Sequence, residues 1–395
     1  MTVSRKHLFD LPDGVIYLDG NSLGPLPFAA KQRVSEMMQH EWGQLLIRGW
    51  NEAGWMSQPS RVGDRVANLI GACKGSVVMG DTLSLKVYQA LAAALALRPQ
   101  KRKIVSDTGN FPTDLYMADG LINLIDKGHE VCLSAPEDVV DAIDDTTAAV
   151  LLTEVDYRTG RKHDMKAITE VAHRHGAVMI WDLAHSAGAL PVDLAGCDAE
   201  FAVGCTYKYL NGGPGAPAFI YVRPDIAQTI QPALAGWLGH ASPFAFDLGY
   251  DPGAGIERMR IGTPSVIQMA ALEAALDAWE DVDMIELRRE STALQEIFIA
   301  EVEQRVPELS LASPRDAEQR GSQVSFAHAQ GYAAIQALIS RGVIGDFRAP
   351  DIMRFGFTPL YVDEADVRAA AEHIETVFKE RLWDNPVFQK RAAVT

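Results

Sequence analysis

The sequence predicts an α/β protein with a large domain built on a mostly parallel sheet and a smaller α+β domain. Short apolar runs alternate with amphipathic stretches between residues 77 and 222, the pattern of parallel strands joined by helical crossovers. The chain has 395 residues, more than one compact core usually holds. We therefore expect an N-terminal segment at 1–50 that packs with the small domain, a large domain at 51–260 and a small domain at 261–395.

The composition argues against several classes of protein. A net charge of −16 and a pI near 5.1 oppose binding to nucleic acid or to an anionic membrane. The longest strongly apolar piece, residues 90–97, is too short to cross a bilayer, and no apolar run of a secretory signal follows the N-terminus. The cysteines Cys73, Cys132, Cys197 and Cys205 form no CxxC pair, which suits a reducing compartment and opposes a metal site. We expect a cytoplasmic protein without a metal.

The N-terminal region predicts a short strand, a turn and a helix. The strand that begins at residue 17 breaks into a turn at Asn21 and Ser22, where such side chains most often satisfy nearby backbone groups. A helix introduced by prolines runs to about residue 46. The segment R-G-W-N-E-A-G-W contains Trp50, and core or interface packing is the commoner role of tryptophan.

The first strand of the large sheet is predicted at residues 77–80 and leads to a candidate phosphate seat. Asp81 and Thr82 precede an alanine-rich helix that runs to residue 97, and a helix N-terminus offers free N–H groups and a positive dipole end. An ordinary helix cap explains the same residues equally well. The next strand, residues 103–106, leads into D-T-G-N-F-P-T-D.

Two strands in the centre of the chain deliver a carboxylate and a lysine to one edge of the sheet. Residues 177–181 form a predicted buried strand that ends in Asp182, and residues 201–207 form a second that delivers Lys208. Open α/β sheets bind ligands at this carboxyl edge, and a buried Asp needs a cationic partner. Pyridoxal phosphate (PLP) fits both residues, because its ring nitrogen pairs with an aspartate and its aldehyde forms a Schiff base with a lysine.

Neighbouring residues strengthen this interpretation, although every α/β protein has Asp residues at strand ends and most lysines are solvated. Tyr207 precedes the lysine, and N-G-G-P-G follows it in a loop through which backbone can approach a phosphate closely. Thr153 ends a neighbouring strand, residues 148–153, on the same side. His185 is either a structural hydrogen-bonding residue or a cofactor contact, and its place at this edge favours contact.

These segments resemble the kynureninase family, which belongs to the class V aminotransferase-related group of fold-type I PLP-dependent enzymes. The motifs are Y-L-D-G-N-S-L-G-P from Tyr17, D-x-A-H-x-x-G from Asp182, T-Y-K-Y-L-N-x-G-P-G from Thr206 and G-W-L-G-H from Gly236. The resemblance runs from about residue 17 to residue 361, and the combination is specific although each motif alone is weak.

The resemblance implies PLP as the cofactor and a homodimer with shared active sites. Phe111 would stack on the PLP ring, and Trp237 with Thr263 would reach the phosphate from the neighbouring subunit. The cofactor contacts that it implies are Asp81, Thr82, Phe111, Asp114, Thr153, Asp182, His185, Tyr207, Lys208, Trp237 and Thr263. The substrate contacts that it implies are Asn21, Ser22, Trp50 and Arg354, with Trp50 at the aromatic end of the substrate across the dimer interface.

Arg354 lies in an apolar stretch where an arginine needs a carboxylate partner. From the residues alone, that partner is either an internal one, Asp351 or Asp346, or a ligand. The resemblance makes Arg354 the clamp for the α-carboxylate of an amino acid.

The implied reaction is the hydrolytic cleavage of the Cβ–Cγ bond of L-kynurenine to anthranilate and L-alanine, a step of tryptophan catabolism. Lys208 would remove the α-proton, Asp182 would pair with the ring nitrogen, and Tyr207 would assist proton transfer. The sequence offers little provision for the extra hydroxyl of 3-hydroxykynurenine, so we expect kynurenine.

The alternative is a class V PLP-dependent aminotransferase or epimerase, because an Asp–Lys–Arg core is common to all of them. The residues that discriminate are Asn21, Ser22, Trp50, Trp237 and Thr263. A cysteine desulfurase needs a late nucleophilic cysteine, and no cysteine follows Cys205. A non-enzymatic protein of this fold would be expected to lose Lys208. Neither spacing nor neighbours assign a role to Asp19 or His240.

Overall fold

A seven-stranded sheet forms the centre of the large part of the molecule in the computed structural model, which describes residues 3–391. In spatial order its strands are Val77–Met79, Phe219–Val222, Phe201–Gly204, Val178–Asp182, Thr147–Thr153, Lys103–Asp107 and Glu130–Ser134. Strand Phe219–Val222 is antiparallel to both neighbours, and the other pairs are parallel. The sheet is thus mostly parallel, as predicted.

Helices cover both faces of this sheet because its strands alternate their apolar side chains between two cores. Leu151 and Ile180 face one core, whereas Leu152 and Trp181 face the other. The longer helices are Gln58–Leu69, Leu83–Leu97, Pro112–Ile125, Met165–Arg174 and Val266–Ala275, and the shorter ones are Gly49–Glu52, Val139–Ala142, Leu194–Cys197 and Pro224–Ala227. Short 3₁₀ helices occur at Trp237–Gly239 and Gly255–Met259 in the long irregular segment that follows.

The carboxyl ends of five parallel strands lie at one edge, and this edge carries the candidate site. The register pairs Thr153 with Asp182, and Asp182 with Val203 of the next strand. The prediction that the last strand continues to Tyr207 is wrong, because the strand ends at Gly204. The Thr206 hydroxyl donates to the Pro217 carbonyl at 2.7 Å and turns the chain into a loop, so Lys208 projects from that loop.

A second, antiparallel sheet lies in the C-terminal part of the chain. Its strands, in spatial order, are Asp346–Arg348, Ile352–Gly356, Gln323–Ala327 and Ser310–Leu311. The accompanying helices are Met284–Arg305, Gly331–Ile339, Glu364–Lys379 and Pro386–Gln389. Phe298 packs against Phe355 and Phe357 with ring centroids 5.0–5.1 Å apart, which attaches the longest helix to the sheet.

The N-terminal segment pairs with this C-terminal part. Strand Ile16–Tyr17 runs parallel to strand Val343–Ile344, and the Gly356 N–H donates to the Leu18 carbonyl at 2.7 Å. Beyond the turn, an α-helix at Phe28–Glu36 continues as a π-helix at Met37–Leu45. The domain limits at residues 50 and 260 stay a prediction.

Residues 3–391 contain neither a membrane-spanning helix nor a metal-binding cluster of side chains. No helix between residues 3 and 391 combines the length and apolar character needed to cross a membrane. Over the same residues, no group of three or more His, Cys, Asp or Glu side chains could hold a metal ion.

Candidate active site

Asp182 is a buried carboxyl group at the end of the central strand Val178–Asp182. It is 1% exposed, and its Oδ1 accepts a hydrogen bond from the Ala184 N–H at 2.9 Å. No hydrogen bond to Oδ2 is found among residues 3–391, so one carboxyl oxygen is left for a ligand. Burial raises the pKa of Asp182 to about 6, against the opposing effects of Lys208 and the Ala184 N–H. A cationic partner would restore its negative charge.

Lys208 reaches into the same space from the loop beyond strand Phe201–Gly204. Its Nζ lies 3.2 Å from His185 Nε2 and 5.9 Å from the ring centroids of both Phe111 and Tyr207. Burial lowers the pKa of His185 well below its usual value, and the nearby cations Lys208, Arg354 and Arg348 lower it further. A neutral imidazole retains a nitrogen that can accept from the lysine.

Asp114 is a second buried carboxyl group, in the first turn of helix Pro112–Ile125. Its Oδ2 is buried and has no hydrogen-bond partner in the described structure. Burial, followed by the charge of Asp182, raises the pKa of Asp114 well above its usual range. An unpaired buried polar atom is costly, which indicates that a polar group from outside the chain completes this site.

Phe111 and Tyr157 form an aromatic wall beside Lys208. Phe111 immediately precedes helix Pro112–Ile125, is 38% exposed, and meets the Tyr157 ring edge to face at a centroid distance of 5.1 Å. The exposed surface of the phenyl ring can therefore stack on a flat ligand. Tyr157 was missed by sequence reasoning, although it lies in the loop after strand Thr147–Thr153, at the edge where ligands were expected.

Thr153 and Tyr207 lie near Asp182 and Lys208. The Thr153 hydroxyl is buried and donates to the Val155 carbonyl at 3.2 Å, so its proton is already engaged. Tyr207 is half-buried, and Cys205 together with burial raises the pKa of its phenol above the usual value. Its phenol is therefore protonated at neutral pH and can donate.

The candidate phosphate seat lies before helix Leu83–Leu97. Asp81 has a φ of +57°, and Thr82 precedes the helix in extended conformation without a side-chain capping bond, so its hydroxyl remains available. Asp81 Oδ2 lies 3.2 Å from Nζ of the buried Lys86, which offsets the acidic charge at this point. Thr263 lines a cavity of about 30 Å³ together with Asp81.

The contacts of Trp50 and Trp237 within the described chain are with residues outside the Lys208 cluster. Trp50 packs against Trp55, with ring centroids 5.7 Å apart. The Trp237 indole N–H donates to the Pro243 carbonyl at 2.6 Å, and its ring meets Phe244. That N–H would have to leave the carbonyl to reach a phosphate.

The N-terminal turn is linked to Arg354 through Arg348 and Asp346. The Asn21 side chain is fully buried, and neither its oxygen nor its nitrogen has a partner in the described structure. Ser22 Oγ accepts from Nη2 of Arg348 at 3.3 Å. Arg354 is 1% exposed and forks onto Asp346, with Nε 2.6 Å from Oδ1 and Nη2 on Oδ2.

Arg354 therefore has an internal carboxylate partner, one of the two that the sequence allowed. Burial favours the neutral acid, but Arg354 and Arg348 outweigh it and hold the pKa of Asp346 below its usual range. Nη1 of Arg354 also donates to the Tyr157 carbonyl. Sequence reasoning named Asp346 as one possible partner of Arg354 but missed Arg348; the D-F-R triplet before the arginine strand was the available signal.

Parts of the chain match two models of known protein families. The model of the Kynureninase C-terminal domain matches residues 287–374, and that of the DegT/DnrJ/EryC1/StrS aminotransferase family matches residues 117–195. Kynureninases of Pseudomonas fluorescens and Burkholderia pseudomallei are each 50% identical to this chain, over 99% of its length and 95% of theirs.

Among solved structures, similar folds occur at low sequence identity. The apo cysteine desulfurase of Thermococcus onnurineus is 18% identical, with a TM-score of 0.80 over 95% of this chain and 98% of that one. A C-DES mutant with glycine covalently linked to its PLP cofactor is 17% identical, with a TM-score of 0.79 over 94% and 98%. These structures show that the fold is that of fold-type I PLP-dependent enzymes. With half of its residues identical to curated kynureninases along nearly its whole length, the chain belongs to the kynureninase family.

Proposed function

We propose that this protein is a PLP-dependent hydrolase that cleaves the Cβ–Cγ bond of L-kynurenine to give anthranilate and L-alanine. The observation that carries the proposal is the 50% identity to kynureninases over 99% of the chain. The neighbouring Lys208 and Asp182 supply the groups that this chemistry requires.

The residues present fit PLP. Asp182 has a free buried oxygen that can accept the ring N–H, Lys208 has an amine for the aldehyde, and Phe111 offers a phenyl face for the ring. Asp114, Thr153 and His185 would surround the ring, whereas Asp81, Thr82, Tyr207, Trp237 and Thr263 would lie at the phosphate. When bound, PLP withdraws electrons from the α-carbon of an amino acid.

The residues around the reacting atoms move and hold protons. Asp182, ionised by pairing with the ring N–H, keeps a proton on that nitrogen. Lys208 takes the proton from the α-carbon, and neutral His185 lies 3.2 Å from its amine. Tyr207 remains protonated at neutral pH and serves as a donor. One water is consumed, since its OH joins the carbonyl carbon of anthranilate and its hydrogen ends on alanine.

The substrate end of the site is assigned to Asn21, Ser22, Trp50 and Arg354. The unpaired amide of Asn21 offers a donor and an acceptor, and Arg354 keeps N–H groups beyond the fork with Asp346 for an α-carboxylate. Trp50 would pack on the aromatic end. No residue here is identified as a partner for the extra hydroxyl of 3-hydroxykynurenine, so we assign L-kynurenine as the preferred substrate.

A homodimer with shared active sites is part of the proposal. Exposed apolar side chains adjoin both tryptophans in the sequence: Trp42, Leu46 and Ile47 precede Trp50, and Phe244, Phe246 and Leu248 follow Trp237. Apolar surface of this kind commonly marks an interface between protein chains. The four cysteines are free, which supports a location in the reducing cytoplasm and a role in tryptophan catabolism there.

The test combines a spectrum with product analysis of the purified protein and a Lys208→Ala variant. We expect visible cofactor absorbance from a lysine-bound PLP in the wild type, its loss in the variant, and equal amounts of anthranilate and alanine from L-kynurenine. A wild type that binds PLP but releases no anthranilate would overturn the substrate assignment and favour an aminotransferase or epimerase.

A further inference from the structure

Two arginines, rather than one, lie at the end of the site that meets the N-terminal turn. Arg348 and Arg354 belong to paired antiparallel strands, Asp346–Arg348 and Ile352–Gly356, whose register places Asp346 opposite Arg354. Asp346 forms a bidentate ion pair with Arg354, and its Oδ2 also lies 2.8 Å from Nη2 of Arg348. One buried carboxylate thus holds two guanidinium groups.

The charges of this cluster do not cancel. Two guanidinium charges less the one carboxylate charge of Asp346 leave one positive charge. The next carboxyl group is Asp19, whose Oδ1 is buried without a hydrogen-bond partner in the described structure. Burial, followed by the charge of Asp346, raises the pKa of Asp19 well above its usual range, so Asp19 adds little negative charge. A buried cluster with one excess positive charge suits a ligand with one negative charge.

The two guanidinium groups retain donors for such a ligand. Arg354 uses three of its five N–H groups, two on Asp346 and one on the Tyr157 carbonyl. Arg348 donates through Nη1 to the Phe347 carbonyl at 2.8 Å and through Nη2 to Ser22 Oγ at 3.3 Å. The Arg348 side chain is 31% exposed, whereas that of Arg354 is 1% exposed, so a ligand reaches Arg348 more readily.

The cluster lies close to the reacting end of the site. Both arginines lower the pKa of His185, and His185 Nε2 is 3.2 Å from Lys208 Nζ. The ring of Tyr157, whose carbonyl binds Arg354, meets Phe111. A carboxylate bound between the arginines would therefore belong to a molecule whose reacting carbon lies beside Lys208.

We propose that Arg348 is a second guanidinium for the α-carboxylate of the substrate, and that Asp346 is the positioning residue that holds Arg348 and Arg354 together. This inference rests on the proposed function for the identity of the substrate. It assigns Arg348 a direct contact and Asp346 an indirect one.

The test compares ligands with and without an α-carboxylate on the PLP-loaded variants Arg348→Gln, Arg348→Lys and Asp346→Asn. In Arg348→Gln and Asp346→Asn we expect KM for L-kynurenine to rise about 10- to 100-fold, the range of a lost charge-assisted hydrogen bond, with kcat changed only a few-fold. Kynuramine, which lacks the carboxylate, should have the same inhibition constant in these variants as in the wild type. Arg348→Lys should recover part of the affinity because it keeps the charge. The matched control is Arg341→Gln, which replaces an exposed arginine that is hydrogen-bonded to His373. This control should change neither the KM for L-kynurenine nor the inhibition by kynuramine.

The outcomes separate the parts of the proposal. The direct contact of Arg348 with the carboxylate is contradicted if Arg348→Gln binds L-kynurenine with unchanged affinity. It is also contradicted if the affinities for L-kynurenine and kynuramine fall by the same factor. If the affinities for both ligands fall by the same factor in Asp346→Asn, the positioning role is contradicted, and Asp346 instead stabilises the fold as a whole. If Asp346→Asn does not fold, as unfolding temperature and cofactor absorbance would show, the more exposed Arg348 decides the proposal.

A wild type that does not cleave L-kynurenine would defeat the proposed function but not this cluster. The probe is then L-alanine, a carboxylate-bearing amino acid, titrated by the change in cofactor absorbance. If Arg348→Gln binds L-alanine about tenfold or more weakly than the wild type, Arg348 is supported as a second guanidinium for the carboxylate. Unchanged L-alanine binding contradicts this role.

Discussion

At the scale of single residues, Glu154 is a buried carboxyl group directly beside the site. Its backbone N–H donates to the Asp182 carbonyl at 3.0 Å, and its Oε2 has no hydrogen-bond partner in the described part of the chain. Burial raises the pKa of Glu154 to about 7, and the neighbouring Ser186 hydroxyl, followed by the charges of Lys162 and Arg288, only partly opposes this. The folded protein therefore holds a proton here that the unfolded chain releases near pH 4.5.

This proton predicts a pH dependence of stability. Because the folded state binds more protons than the unfolded state between pH 4.5 and about 7, the free energy of unfolding falls as pH rises through this window. The full effect of a shift of this size is up to about 3 kcal/mol. We expect Glu154→Gln to be about 1–3 kcal/mol more stable than the wild type at pH 8 and nearly equal to it at pH 4.5. Denaturant unfolding at both pH values measures this; an equal difference at the two pH values would contradict it.

Sequence reasoning located Asp182 and Lys208 because both follow strands whose carboxyl ends share an edge. It left the partner of Arg354 open, because the pairing with Asp346 depends on the register of two antiparallel strands. It missed Arg348 for the same reason, and Tyr157 because its contact with Phe111 joins two loops after different strands. The roles of all these residues stay predictions until variants are measured.

At the scale of elements, the N-terminal turn packs directly on the loop that carries Lys208. The Gly24 N–H donates to the Tyr207 carbonyl at 2.8 Å. A Cβ on Gly24 would lie 2.3 Å from the Lys208 carbonyl oxygen and 2.9 Å from Asn211 Cα, which are backbone atoms with little freedom to move. The close approach of these two segments thus requires glycine at this position.

Gly24→Ala is therefore expected to separate the turn from the Lys208 loop. We predict a loss of about 1–3 kcal/mol in unfolding free energy, the usual cost of overpacking, and weaker retention of PLP in dialysis. The matched control is Gly120→Ala in helix Pro112–Ile125, where a Cβ meets nothing within 4 Å. That variant should gain about 0.5–1 kcal/mol from helix propensity. Equal behaviour of the two variants would show that the contact at Gly24 is unimportant.

Most elements were predictable to within a few residues because short apolar runs mark the strands and composition marks the helices, as in the alanine-rich helix Leu83–Leu97. The strand that was expected to reach Tyr207 ends at Gly204, because the Thr206 hydroxyl bonds Pro217 in a contact that no periodicity reveals. Strand Phe219–Val222 runs antiparallel to Phe201–Gly204 because the glycine loop after Lys208 reverses the chain between them. The direction of such a loop is likewise not visible in apolar periodicity.

At the scale of the whole molecule, the proposed homodimer makes a prediction about which chain completes each site. Trp237 is 42% exposed and contacts Pro243 and Phe244 within one chain, and we propose that it serves the partner's cofactor. A Lys208→Ala chain keeps Trp237, and a Trp237→Ala chain keeps Lys208. In a mixed dimer, one site then combines the two intact residues while the other carries both changes.

Mixing these two chains by coexpression should restore activity. Random pairing makes half of the dimers mixed, and each has one complete site of two, so we expect about a quarter of the wild-type activity. The control pairs Lys208→Ala with Asp182→Asn, whose residues lie in the same site of one chain, and should restore nothing. No recovery in the first mixture, with mixed dimers confirmed by two affinity tags, would show that Trp237 does not act across the interface. Recovery in both mixtures would instead mean that Asp182→Asn is not inactive.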